Sequence, residues 1–129
     1  MTSIAPWLSV RGGLRALEFY KAALSAAVVY RHDGPDDSVV ARLSVDGAEF
    51  WISDESPAHG NVSPESHTAS SVRMILTVPD PDAVFATAIT AGATEVYPVS
   101  EGHGWRVGRL CDPFGHHWEI GRPISGGTS

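Results

Sequence analysis

Cys111-Asp112-Pro113-Phe114-Gly115-His116-His117-Trp118-Glu119-Ile120 is the stretch whose reading decides the fold of this 129-residue chain. Asp112-Pro113-Phe114-Gly115 has the composition of a tight hairpin turn. On either side lie apolar, β-favouring segments, so strands are expected over Arg106 to Cys111 and His116 to Gly121. Working back toward the N-terminus, Thr94 to Val99 reads as a further strand. Before it, Asp80 to Ala91 reads as a helix, with Asp80 as N-cap ahead of Pro81 and Gly92 as C-cap. Val72 to Val78 reads as the strand that precedes that helix.

The same order stands in the first half. Ile4 to Val10 reads as a strand broken by Gly12 and Gly13. Leu14 to Leu24 then reads as an amphipathic helix, with Leu14, Leu17, Tyr20 (or Ala16) and Leu24 at helical spacing. Strands follow over Ala27 to Arg31, Val39 to Val45 and Ala48 to Ser53, with turns at residues 33–37 and at Asp46-Gly47. Shifting one half by 68 positions places Val10 on Val78, Ala23 on Ala91, Val28 on Val96, Val39 on Val107, Gly47 on Gly115 and Ile52 on Ile120. Each pair falls at the same point of the element order, which marks an internal repeat. The expected fold class is α+β: two tandem βαβββ modules forming a curved mixed sheet with a cleft, helices on the outer face. One domain over residues 1–129 is expected, with module 1 at about 4–53, a polar linker at 54–71 and module 2 at about 72–121.

Composition narrows the function classes. The net charge is −6 with His neutral, and Lys21 is the only lysine among nine scattered basic residues. A nucleic-acid face is therefore not expected, because neutralising phosphates requires clustered Lys and Arg. Cys111 is the only cysteine, so neither an intrachain disulfide nor a multi-cysteine zinc site can form. Met1 to Val10 lacks a basic n-region and a long apolar run, and no segment approaches the roughly 20 apolar residues of a bilayer span. A cytoplasmic protein without membrane contact is expected.

The repeat, the helix residues Leu17-Glu18-Phe19-Tyr20, and Asp112-Pro113-Phe114-Gly115-His116 with Trp118 resemble the vicinal-oxygen-chelate superfamily of glyoxalases, bleomycin-resistance proteins and dioxygenases. Ser53-Asp54-Glu55 with Pro57, His59-Gly60-Asn61, Ser63-Pro64, Gly92-Ala93-Thr94 and the strand Arg106 to Leu110 resemble its PhnB-like branch. The likeness spans roughly residues 4 to 124. It implies a sheet-lined cleft, a small-molecule ligand and a homodimer. It does not imply one reaction, because members include isomerases, dioxygenases, thiol transferases and metal-free drug-binding proteins.

Metal-using members take ligands from the first and fourth strand of each module, and the resemblance carries that set onto Ala5, Trp51, Arg73 and Glu119. This is a poor metal site. Alanine has no donor atom, the indole nitrogen only donates, and arginine stays protonated. No cofactor is expected on this basis; the alternative is a divalent metal on Glu119 and His117. First and fourth strands should be neighbours, so Arg73 and Glu119 are expected to pair. The plain alternative for the pair is a salt bridge closing the cleft floor. In the functional reading Arg73 holds an anionic or carbonyl group and Glu119 acts as its acceptor or as a base.

Strand alternation adds neighbours. With Glu119 inward, His117 is inward as well, and His116, Trp118 and Ile120 face the helices. From the positions that the resemblance assigns, parity from Ala5 turns Trp7 and Ser9 inward, parity from Arg73 turns Ile75 and Thr77 inward, and the repeat turns Trp51 inward. Trp7 and Trp51 then offer flat walls for a ring, with core packing as their plain alternative. The parity of Trp105 and Arg109 is left open. Phe19, Tyr20 and Phe85 read as core. Cys111 reads as structural, and His32, His59, His67 and His103 as solvated. The ligand-binding set is Trp7, Trp51, Arg73, His117 and Glu119, with Glu119 and Arg73 as the catalytic candidates. The lead expectation is a small-molecule binder with an aromatic, metal-free cleft. Its rival is a lyase, isomerase or dioxygenase working through metal or through acid–base chemistry at Glu119.

Overall fold

The computed structural model describes residues 2–66 and 70–124. Two compact units divide the chain, Met1–Ala69 and Ser70–Ser129. Each is a βαβββ module. In the first, β1 (Trp7–Val10), α1 (Gly13–Leu24), β2 (Ala27–Asp33), β3 (Val39–Val45) and β4 (Ala48–Asp54) form a sheet of order β1-β4-β3-β2. In the second, β5 (Arg73–Thr77), α2 (Pro81–Ala91), β6 (Thr94–Gly102), β7 (Trp105–Cys111) and β8 (His117–Pro123) form a sheet of order β5-β8-β7-β6. The first and last strands of each module run parallel, and the remaining neighbours are antiparallel.

Each module buries the helix-facing side of its sheet. In module 1, Leu8, Val10, Val39, Ala41, Leu43, Phe50 and Ile52 pack with Ala16, Leu17, Tyr20 and Ala23 of α1. Tyr20 meets Phe50 edge to face at 5.3 Å between ring centroids, a geometry that aromatic quadrupoles favour. In module 2, Leu76, Leu110, Trp118 and Ile120 take the same role beneath Phe85 and Ala88 of α2. Phe19, Tyr20 and Phe85 are core residues, as read from the sequence.

Local signals carried most element boundaries. Asp46 and Gly47 both take positive φ, the pairing a two-residue primed hairpin turn needs. Asp80 caps α2 by accepting the Ala83 amide at 3.2 Å. Several expectations need correction. The first strand starts at Trp7 rather than Ile4, because Pro6 has no N–H to give to a ladder. Leu14 is exposed, so the apolar stripe of α1 runs instead through Ala16, Leu17, Tyr20, Ala23 and Leu24. The strand expected over Thr94 to Val99 continues to Gly102.

The stretch read as a linker is an ordered loop over its described part. Short 3-10 turns lie at Pro57–His59 and Pro64–Ser66, and Ser56 pairs with Asn61. Glu55 holds the loop: it accepts the Ser63 amide at 2.9 Å and the Ser66 hydroxyl at 2.8 Å, and it pairs with Arg11 at 3.2 Å. The Ser63 amide, then the Ser66 hydroxyl, lowers the Glu55 pKa from its ordinary value. Composition suggested a linker because these contacts join residues far apart in sequence. His67 lies outside the described residues.

Candidate functional site

The sheet face away from α1 carries the candidate residues of module 1. Strand pairing places Trp7 beside Trp51, Trp51 beside Arg42, and Arg42 beside Tyr30, so the four form one row across the sheet. Trp7 and Trp51 stack with ring centroids 5.2 Å apart and planes 7° apart. Tyr30 leans on Trp51 at 5.7 Å, and the Arg42 guanidinium lies 5.3 Å from the Trp51 ring centroid. The Trp7 indole N–H donates to Ser53 Oγ at 2.8 Å. Trp7 is 53% exposed and Tyr30 47%, so this aromatic row is a surface and not core.

The corresponding row of module 2 is Ile75, Glu119, Arg109 and Tyr97. Arg73 Nε lies 2.7 Å from Glu119 Oε2. Arg109 Nε donates to His117 Nδ1 at 3.2 Å, so that nitrogen serves as an acceptor. Partial burial, then the Arg109 charge, pushes the His117 pKa below its ordinary value. A cavity of about 220 Å³ lies against Tyr97, Ser100, Arg109 and Glu119. His116, Trp118 and Ile120 are buried on the helix side, as strand parity required. Asp112 organises the turn before them. Its Oδ1 accepts the Phe114 and His116 amides, and its Oδ2 accepts the Trp118 indole at 2.9 Å. Burial, then Asp112, raises the Cys111 pKa, which disfavours the thiolate.

The structure therefore places Arg73, His117 and Glu119 on one face of module 2, and Trp7 and Trp51 on one face of module 1. Sequence reasoning missed Arg42, Tyr30 and Tyr97 and left Arg109 open. The cause is a slip in the repeat. Trp7 and Ile75, like Trp51 and Glu119, are 68 positions apart, whereas Tyr30 and Tyr97, like Arg42 and Arg109, are 67 apart. The helix of module 2 is one residue shorter, and its last hairpin turn restores the count. A one-residue slip turns every side chain to the other face, so Val39 and Val107 are not equivalent: Val39 is buried under α1, and Val107 pairs with Ser100 on the open side. The pairs Val29-Tyr30 with Val96-Tyr97 and Arg42-Leu43 with Arg109-Leu110 were the signal that could have found these residues.

The donor set does not fit a divalent metal. Ala5 lies outside any strand, Trp51 is stacked, and the one carboxylate, Glu119, is occupied by a guanidinium. Two guanidiniums beside Glu119 and His117 also oppose a cation there. Among the described residues, no three His, Cys, Asp or Glu side chains group as metal ligands.

Two βαβββ modules, each a four-stranded mixed sheet under one helix, define the class as the vicinal-oxygen-chelate fold. Residues 8–121 match the family described as Glyoxalase-like domain, and the chain belongs to that family. An uncharacterized protein of Mycobacterium bovis is 35% identical over 127 residues, covering 95% of this chain and 84% of the relative. Among solved structures, a gene product of Arabidopsis thaliana is similar with a TM-score of 0.74 and 29% identity, covering 93% of this chain and 98% of that one. A member of the glyoxalase/bleomycin resistance protein/dioxygenase superfamily from Sphaerobacter thermophilus has a TM-score of 0.71 at 19% identity, covering 95% and 98%. At that identity it shares the fold alone.

Proposed function

We propose that this glyoxalase-like protein binds a small aromatic or amphipathic molecule, a metabolite or drug, without metal. In the same reading it is a cytoplasmic homodimer of the PhnB-like branch. The observation that carries the proposal is the exposed Trp7–Trp51 stack flanked by Tyr30 and Arg42. Rings that served folding alone would be buried; an exposed aromatic row with a cation beside it suits stacking of a ligand ring. The test is a titration of aryl compounds followed by tryptophan fluorescence. Saturable quenching in the wild type, lost in Trp51→Leu, supports the reading. Quenching that never saturates, or survives in Trp51→Leu, overturns it. Sedimentation of the purified chain checks the dimer.

A second reading is supported by module 2. Arg73, Glu119, His117 and Arg109 make a connected polar face in which His117 is held toward its neutral form. There Arg73 would hold a carbonyl or anionic group and Glu119 would exchange its proton, as in a metal-free lyase or isomerase. Turnover of an aryl or carbonyl substrate that disappears in Glu119→Gln is its test.

A further inference from the structure

A cavity of about 540 Å³ opens in module 1 where β2, β3 and β4 meet the loop after β4. Apart from two carboxylates, its polar lining is His32, Ser38, Ser53, Ser56, His59 and Asn61. Strand pairing sets Ser53 beside Val40 and Val40 beside His32, which is the row next to Trp51, Arg42 and Tyr30 on the same sheet face. Two residues along a strand separate the rows by roughly 6–7 Å, about the span of one bond-linked group beyond a ring. Ser53 joins the two regions. Its oxygen accepts from the Trp7 indole, and a hydroxyl in that role keeps its own proton to donate.

The chemistry of the cavity selects what enters it. Its two carboxylates are already engaged. Asp54 accepts the Gly13 amide at 2.9 Å and the Val39 amide at 2.8 Å, and Glu55 holds Ser63, Ser66 and Arg11. No lysine or arginine is among the lining residues, so an anionic group meets no fixed counter-charge. What remains are hydroxyls, imidazoles and a carboxamide, which suit an uncharged group that both donates and accepts. Ser56 Oγ and His59 Nδ1 lie 2.7 Å apart, a pairing that otherwise suggests a nucleophile and base. The amides of Ser56, His59, Gly60 and Asn61 are all bonded within the loop, so they form no oxyanion hole.

We infer that this cavity is a subsite for the neutral, hydroxyl- or amide-bearing arm of a ligand whose aryl ring lies on the Trp51 row. The inference rests on the aryl-binding reading above and adds the ligand's second half. Calorimetric titration with three probes tests it: phenol, phenyl β-D-glucoside and phenyl phosphate. Two or three added neutral hydrogen bonds are expected to make the glucoside bind about tenfold or more tighter than phenol. Phenyl phosphate is expected to show no such gain. In His59→Leu and in Asn61→Ala, neither of which touches the Trp7–Trp51 stack, the glucoside advantage is expected to shrink to about twofold, while phenol affinity is kept. Equal binding of phenol and glucoside, an advantage intact in both variants, or a preference for the phosphate overturns the subsite and leaves the aryl site standing. Failure of all three probes to bind overturns both.

Discussion

Arg73 and Glu119 meet diagonally across the parallel pairing of β5 and β8: Arg73 lies opposite His117, two residues before Glu119, and its Nε reaches Glu119 Oε2 at 2.7 Å. The pair puts a fixed positive charge on the only carboxylate of the family's metal locus. Arg73 is half exposed, so water screens much of the attraction, and Glu119→Gln is expected to cost no more than about 1 kcal/mol of stability. Protein purified without added metal or chelator is expected to hold only substoichiometric metal, in the wild type and the variant alike. Elemental analysis checks this. About one zinc, manganese, nickel or iron per chain, lost in Glu119→Gln, would overturn the metal-free reading.

Asp112 is buried and accepts from two amides and one indole. Asp112→Ala strands those donors in the turn that starts β8. A loss of roughly 3 kcal/mol is expected, because buried unsatisfied donors cost about 1–3 kcal/mol each and water reaches some of them. Urea unfolding of the two proteins measures it, and a change under about 1 kcal/mol would show that the turn relaxes around the loss.

Gly13 opens α1 where the helix crosses the sheet. A Cβ there would lie 2.4 Å from Val39 Cγ1 and 2.7 Å from Asp54 Oδ2. Gly13→Ala is therefore expected to destabilise by about 1–3 kcal/mol through overpacking, although alanine favours helices. Thermal unfolding reads the sign directly, and a stabilised variant would show that Asp54 yields without loss of its amide bonds.

The folded His117 pKa is lowered, by partial burial first and by Arg109 second. Between that value and the ordinary one near 6.5 the unfolded chain binds more protons than the folded chain. The contribution of His117 is thus to make stability rise with pH through that window and fall on acidification. An NMR titration of the imidazole should give a midpoint below 6.5, and Arg109→Gln should move it upward. A wild-type midpoint at or above the ordinary value would contradict the assigned environment.

Much of this was legible in the chain. The Asp46-Gly47 turn, the Asp80 cap and the alternation around Glu119 rest on local backbone preferences and on the two-residue period of a strand. Alternation put His117 on the face of Glu119, and the family resemblance with the repeat put Trp7, Trp51 and Arg73 on the faces they occupy. Arg42, Tyr30 and Tyr97 were not found, because a gapless offset of 68 hides the slip to 67 between helix and hairpin. The internal order of the loop after β4 was not legible, because serine, proline and glycine look alike in a linker and in a folded loop. The difference is Glu55, whose partners Arg11, Ser63 and Ser66 lie up to 44 positions away.

The sequence by itself determined the element order, its recurrence in the second half, and the alternation of side chains within each strand, since order and alternation depend on neighbours a few positions apart. Only the tertiary structure decided the contacts: the stack of Trp7 on Trp51, the reach of Arg73 to Glu119, and the tie of Asp54 to Gly13 and Val39. Those contacts depend on the register of β1 with β4, of β3 with β4 and of β5 with β8. Register is chosen by burying one whole sheet face at once, and no local stretch of residues carries that sum.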